Sequence, residues 1–139
     1  MNQNSVLELH LPSNINALED SLVEIESFLM KYALHQDFID NLIIAVSELI
    51  SNAMEHGNRF NPNLFVNINI EVVSRAVVVR VRDYGRGFDA DHLANPLEKK
   101  NLFKTEGRGI FITRHLIDHL EFIHHIDGTE AIITKHFNS

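Results

Sequence analysis

The chain has 139 residues, no cysteine and a formal net charge of −7 at pH 7. This length predicts a single domain, residues 1–139, that buries its core without disulfides or a structural metal. The lack of cysteine excludes thiolate catalysis and cysteine-based zinc sites, and the acidic balance argues against a protein that coats nucleic acid. No apolar run suits a membrane helix and no signal peptide is evident. We therefore expect a cytoplasmic protein with no direct nucleic-acid or membrane binding.

The first half of the chain predicts an edge strand followed by two helices. Leu7–Leu11 alternates weakly, and Pro12–Asn14 then ends the strand and offers a helix cap. Apolar residues recur at helical spacing over Ile15–Ala33. A second apolar helix is predicted to start at Asp37, as its N-cap, and to end at Gly57.

The second half predicts two strands, a loop and a third helix. Val66–Glu71 and Ala76–Arg82 alternate between apolar and polar residues, with a turn between them, as expected for strands with one buried face. Asp89–Thr105 has weak periodicity and predicts a mobile loop with one short helical turn. Ile110–Leu120 predicts the third helix.

The end of the chain predicts a β-hairpin. Glu121–Ile126 and Thr129–Phe137 would pair about Asp127-Gly128, a dipeptide favoured in type I′ turns. Helices covering one face of an antiparallel sheet make a two-layer α+β sandwich.

Polar side chains mark one face of the second predicted helix. Glu48 and Asn52 stand four residues apart and therefore point the same way, with Glu55 and His56 beside them. A carboxylate and an amide in this arrangement suit a hard cation that keeps several waters. A solvated helix face explains the same pattern, so this segment alone leaves both interpretations open.

Two glycine-containing turns follow farther along the chain. Asp83–Phe88 (DYGRGF) follows a strand, and an aspartate there can accept a hydrogen bond from an exocyclic amine such as that of adenine. Glu106–Phe111 (EGRGIF) places glycines before a helix, where free backbone N–H groups attract phosphate, and Lys104 and Arg108 add positive charge. An ordinary turn and a flexible connector are the alternative interpretations.

The order of the three segments is more specific than any one of them. Glu48–Gly57 (ELISNAMEHG), Asp83–Phe88 and Gly107–Ile112 (GRGIFI) follow the layout of the GHKL superfamily of ATPases. Within it, the chain resembles the stand-alone anti-sigma-factor serine kinases of bacteria over nearly its whole length. The resemblance implies a Bergerat-type α+β fold, a two-layer sandwich with a mixed, mostly antiparallel sheet covered by helices on one face.

The resemblance also implies that ATP and Mg²⁺ are bound and which residues bind them. Glu48 would be the general base for the attacking hydroxyl, and Asn52 would hold Mg²⁺. Asp83 would hydrogen-bond the adenine amine, with Gly87 letting the ring approach and Thr129 supporting the aspartate. The other ATP-binding residues implied are Gly85, Lys104, Thr105, Gly107, Arg108, Gly109 and Ile110.

The partners implied are a sigma factor and an anti-sigma-factor antagonist of STAS fold, which the kinase would phosphorylate on serine or threonine. A homodimer is compatible with the resemblance. Two other functions stay open. One is a binding switch in which ATP orders residues 89–105 without phosphoryl transfer, and the other is a catalytic module of a histidine kinase. The nine histidines include no His-Glu-x-x-His arrangement, so no transition-metal site is expected.

Overall fold

The computed structural model describes residues 5–85 and 109–137 of the chain. Its five strands form one sheet in the order β1-β2-β3-β5-β4, and each neighbouring pair is antiparallel. The strands are β1 (Val6–Pro12), β2 (Phe65–Val72), β3 (Ala76–Arg82), β4 (His119–His125) and β5 (Gly128–His136). The helices are α1 (Ile15–Leu29), α2 (Gln36–Asn52), which continues into a π-helical turn (Ala53–Gly57), and α3 (residues 109–116).

The core lies between the helices and one face of the sheet. On the strands, alternate residues such as Ile68, Val79 and Ile133 are buried, because successive strand side chains point to opposite faces. They pack against the apolar faces of α1 and α2, including Ile25 and Leu42. The predicted two-layer α+β fold is therefore confirmed, but the described strands form an antiparallel sheet and not the mixed sheet that was predicted. No helix among the described residues is long and apolar enough to cross a membrane.

The first two helices begin close to their predicted starts but end differently. Asn14 caps α1, since its Oδ1 accepts a hydrogen bond from Ala17 N–H at 2.8 Å. α1 ends at Leu29, four residues before the predicted Ala33. Asp37 is not the N-cap of α2: the helix begins at Gln36, so Asp37 lies in its first turn, where a carboxylate still suits the helix dipole.

The third helix ends earlier than predicted and the following strand begins earlier. Helical geometry ends at residue 116, and β4 begins at His119, within the predicted helix Ile110–Leu120. β4 pairs with β5 along its whole length, and Asp118 Oδ2 accepts a hydrogen bond from His136 N–H at 2.6 Å. These inter-strand bonds outweigh the helical periodicity that Leu120 continues from Leu116 and Ile117.

The predicted hairpin forms, but its turn is shifted by one residue. His125 pairs with Gly128, so the two linking residues are Ile126 and Asp127. The only non-glycine residues with positive φ in the described ranges are Arg59 and Phe60, so the link is not a type I′ turn. Gly128, with φ of 142°, is instead the first residue of β5.

Candidate functional site

Asp83 is a buried carboxylate at the end of β3. It is only 5% exposed. Its Oδ1 accepts hydrogen bonds from two backbone N–H groups, those of Gly85 at 3.3 Å and Thr129 at 3.2 Å, while its own N–H donates to Thr129 O at 2.9 Å. The backbone of two segments therefore fixes one carboxylate oxygen and leaves Oδ2 to accept a hydrogen bond from a ligand.

Three glycines allow the chain to close around Asp83. A β-carbon on Gly57 would overlap the Asp83 carboxylate, and one on Gly128 would overlap the Asp83 carbonyl oxygen. A β-carbon on Gly85 would overlap the Gly57 carbonyl. Three segments therefore meet at distances that only glycine permits: the end of the π turn, the residues after β3 and the start of β5.

Burial raises the pKa of Asp83 to about 6. The backbone hydrogen bonds from Thr129 and Gly85 and the charge of Arg82 act in the opposite direction, but they do not offset the desolvation. The carboxylate is thus held in a site that disfavours its charge. A ligand that donates a hydrogen bond to Oδ2 would replace part of the hydration that burial removes.

The residues on either side of Asp83 fix the strand end on the opposite face of the sheet. Arg82 Nη2 donates to Asp127 Oδ1 at 2.7 Å, and its guanidinium lies 4.5 Å from the centroid of the Tyr84 ring. Tyr84 accepts a hydrogen bond at its hydroxyl from Asn67 Nδ2 at 2.7 Å. Because side chains alternate along the strand, these contacts anchor the backbone while the Asp83 side chain faces the helices.

Glu48 and Asn52 lie one turn apart on α2 and so share one face of the helix. A β-carbon on Gly109 would overlap the Glu48 carboxylate, so this carboxylate lies against the first described residue of α3. The Nδ2 atom of Asn52 is buried and has no hydrogen-bond partner among the described residues. A buried amide nitrogen without a partner at this position is a group that a polar ligand would satisfy.

The π turn connects this helix face to Asp83. Asn58 N–H bonds to Ala53 O at 2.8 Å, which widens the last turn of the helix before the chain leaves it. Gly57 ends the turn, as the sequence predicted, but it also contacts the Asp83 carboxylate. With a rise of roughly 1.5 Å per residue, Glu48 and Gly57 lie roughly 13 Å apart along the helix axis. The polar groups therefore form a line from Glu48 through Asn52 to Asp83.

The structure brings together five of the residues predicted to form the site. Asp83, Gly85 and Thr129 share hydrogen bonds, whereas Glu48 meets Gly109 where α3 begins. Asn52 lies on α2 between the two groups, and Ile110 is part of α3 and half-buried. Five further predicted residues lie outside the described residues, as does the predicted loop 89–105: Gly87, Lys104, Thr105, Gly107 and Arg108.

Sequence reasoning missed three features of this site. Gly128 was interpreted as a turn residue and Gly57 as a helix end, although each also makes room for Asp83. Thr113, on α3, is fully buried, and its hydroxyl has no hydrogen-bond partner among the described residues. Only Thr113 gave a signal in the sequence, since it is a polar residue at an apolar position of the predicted third helix. The close approaches themselves depend on tertiary contacts.

Comparisons with known proteins identify the family and the fold of the chain. The model of the histidine kinase-like ATPase domain family matches residues 11–135. The chain is 22% identical over 138 residues to a serine-protein kinase RsbW of Listeria innocua, covering 95% of this chain and 87% of the relative. It is 27% identical over 134 residues to an anti-sigma F factor of Geobacillus kaustophilus, covering 93% and 92% of the two chains.

A solved structure has the same fold. The structure of the RsbU and RsbW domains of Rv1364c from Mycobacterium tuberculosis superposes with a TM-score of 0.65 at 18% identity. The match covers 94% of this chain but spans 31% of that longer one, so it supports the fold alone. The family match, in contrast, extends across all three polar segments, and the chain belongs to the histidine kinase-like ATPase domain family.

Proposed function

We propose that the protein is an ATP-binding anti-sigma factor with serine/threonine protein kinase activity, which phosphorylates a STAS-type antagonist and so controls which partner it binds. The observation that carries the proposal is the line of polar groups from Glu48 through Asn52 to the buried Asp83. This line has an unused acceptor at one end and an unpaired amide along it. The names of the relatives, a serine-protein kinase and an anti-sigma factor, support the same function.

The groups of the site match the chemistry of Mg-ATP from end to end. Asp83 Oδ2 would accept the exocyclic amine of adenine. The amide oxygen of Asn52 is a ligand that Mg²⁺ prefers, and a rotation of the amide would exchange it with the unpaired Nδ2. Gly109 and Ile110, at the start of α3, would offer backbone N–H groups to phosphate oxygens, together with Lys104, Thr105, Gly107 and Arg108. The distance along the helix between the two ends suits a nucleoside triphosphate.

Glu48 would act as the general base. Bound Mg-ATP supplies the phosphoryl group and the divalent charge, so this chain has to position the ligand and orient the attacking hydroxyl. The Glu48 carboxylate, against the start of α3, would accept the proton of a serine or threonine hydroxyl of the antagonist. The hydroxyl oxygen would bond to the γ-phosphorus as the bond to the β-phosphate oxygen breaks, leaving ADP and a phosphorylated antagonist.

Mass spectrometry tests the proposal directly. The protein is mixed with Mg-ATP and the STAS-type antagonist encoded nearest to it, in parallel with Glu48→Gln and with Glu55→Gln. Glu55 is exposed on the next part of the same helical segment and serves as the matched control. We expect the wild type and Glu55→Gln to phosphorylate the antagonist on serine or threonine. In Glu48→Gln the rate of phosphorylation should fall roughly 100-fold or more.

The other outcomes separate the alternatives. If the wild type binds Mg-ATP but adds no phosphate to the antagonist, the kinase proposal fails for this substrate and a nucleotide-dependent binding switch becomes the better description. If Glu48→Gln retains the full rate, Glu48 is not the base. Acid-labile phosphohistidine on the protein itself would instead indicate a histidine-kinase module.

A further inference from the structure

Asn58 directly follows the π turn and lies buried where four segments meet. It is 2% exposed. Its Nδ2 donates hydrogen bonds to Ser13 Oγ at 3.0 Å and to Phe65 O at 3.1 Å, and its Oδ1 accepts from Tyr84 N–H at 3.0 Å. One side chain thus connects the end of the π turn to the β1–α1 junction, to the first residue of β2 and to the residue after Asp83.

The bond from Tyr84 forms where the sheet no longer holds the chain. β3 ends at Arg82, and the last backbone bond of this strand end joins Asp83 N–H to Thr129 O at 2.9 Å. Beyond it, Tyr84 N–H has the Asn58 side chain as its acceptor. Asp83 is therefore held by β5 through its own backbone and by Asn58 through the next peptide unit.

Asn58 also fixes the separation between the π turn and the segment after β3. Gly57 lies against the Asp83 carboxylate, and Gly85 lies against the Gly57 carbonyl. The bond between Asn58 and Tyr84 lies between these two contacts in the chain. If that bond is lost, the segment carrying Asp83 is free to shift relative to the helix end, and the position of Oδ2 shifts with it.

We propose that Asn58 is a positioning residue that sets the selectivity of the site for adenine by holding Asp83 in place. This inference rests on the proposed role of Asp83 as the acceptor for the adenine amine. Asn58 acts through Tyr84 and Asp83, so its removal reduces recognition of the base and leaves the binding of the phosphates unchanged. A residue that served only to stabilise the fold would affect all nucleotides alike.

The experiment compares binding of ATP and inosine triphosphate, which carries a carbonyl oxygen where ATP carries the exocyclic amine. Dissociation constants are measured by calorimetry for the wild type, Asn58→Ala and Ser13→Ala. Ser13 is the matched control because it is 5% exposed and its hydroxyl bonds to Asn58 and to Leu64 O rather than to Tyr84. Its loss removes buried hydrogen bonds of the same junction but leaves the bond between Asn58 and Tyr84.

We expect the wild type to bind ATP roughly 10- to 100-fold more tightly than inosine triphosphate, as for a site that hydrogen-bonds the amine. In Asn58→Ala this ratio should fall by about tenfold, with the affinity for inosine triphosphate changed less than about threefold. Ser13→Ala should keep the wild-type ratio. An unchanged ratio in Asn58→Ala, or an equal loss for both nucleotides, would overturn the inference.

A second measurement uses the wild type alone, in case Asn58→Ala does not fold. Saturating ATP should slow amide hydrogen exchange at Tyr84 more than saturating inosine triphosphate does, because only the amine tightens the segment that Asn58 holds. Equal protection by both nucleotides would contradict the inference. Failure of the proposed function is recognised separately: a wild type that binds neither nucleotide, or an Asp83→Asn variant that binds ATP like the wild type, refutes the role of Asp83 itself.

Discussion

The two ends of the polar line differ in how far the chain satisfies its own polar groups. Around Asp83, two backbone N–H groups bond to Oδ1, the Asn58 amide holds the next peptide unit, and three closely packed glycines bring the surrounding backbone together, so that Oδ2 is the carboxylate oxygen left for a ligand. Around Asn52, on α2, and Thr113, on α3, buried polar atoms have no partner among the described residues. We infer that the end proposed to bind adenine is fixed by the sheet, whereas the end proposed to bind the phosphates is completed by its ligand.

Gly57→Ala should have the largest effect, because it disrupts the close packing around Asp83. The added β-carbon would overlap the Asp83 carboxylate, whose position the sheet backbone fixes. We expect the free energy of unfolding to fall by about 2–4 kcal/mol and ATP affinity to fall with it. Chemical denaturation and calorimetry measure the two effects. The exposed Glu55→Ala, in the same π turn, should change neither quantity noticeably; an equal loss there would mean that the turn is simply sensitive to substitution.

Asn52→Ala should separate affinity from stability at the other end. The amide has an unpaired buried Nδ2, so its removal costs little hydrogen bonding in the free protein. We expect Mg-ATP affinity to fall roughly 100-fold, by about 2–3 kcal/mol, while the unfolding free energy changes by less than about 1 kcal/mol. Ser51→Ala, one position earlier on α2, is the control. A stability loss as large as that of Gly57→Ala would remove the contrast between the two ends.

Asp83→Asn should stabilise the free protein by an amount that depends on pH. The pKa of Asp83 is raised from 3.8 to about 6 in the folded state, so between these values the folded protein binds more protons than the unfolded one. Stability of the wild type therefore falls as pH rises from about 4 to about 6. The variant lacks this loss, and we expect it to be more stable by about 3 kcal/mol above pH 7 and by almost nothing near pH 4.

Asp127→Asn is the control, because its effect on stability should have the opposite sign. The hydrogen bond from Arg82 lowers the pKa of Asp127, so its carboxylate stabilises the fold above its ordinary pKa and loses that effect as pH falls. The variant should therefore be slightly less stable than the wild type at neutral pH. Thermal unfolding from pH 4 to pH 8 distinguishes the two variants. An Asp83→Asn curve parallel to that of the wild type would contradict the raised pKa.

The sequence predicted the parts of this site that depend on local spacing. Four-residue spacing placed Glu48 and Asn52 on one helix face, and strand alternation placed Asp83 at the end of β3. It did not predict why Gly128 is needed, because that reason is an approach by a distant strand. The predicted end of the third helix was also wrong. The pairing of β4 with β5 is a long-range effect, and apolar periodicity carries no information about it.

Thr113→Val should have the smallest effect. It directly tests the end of the site where buried polar atoms have no partner among the described residues. The Thr113 hydroxyl is fully buried without a partner among the described residues, and valine has nearly the same shape. Removing a buried, unpaired hydroxyl should raise the unfolding free energy of the free protein by about 1 kcal/mol. Thr134→Val, on the partly exposed outer face of β5, should be close to neutral because its hydroxyl can stay hydrated. Destabilisation by Thr113→Val would mean that the hydroxyl already has a hydrogen-bond partner in the free protein, such as a buried water, and would contradict the contrast between the two ends. Stabilisation of the free protein with weakened Mg-ATP binding would instead place this hydroxyl among the groups that the nucleotide completes.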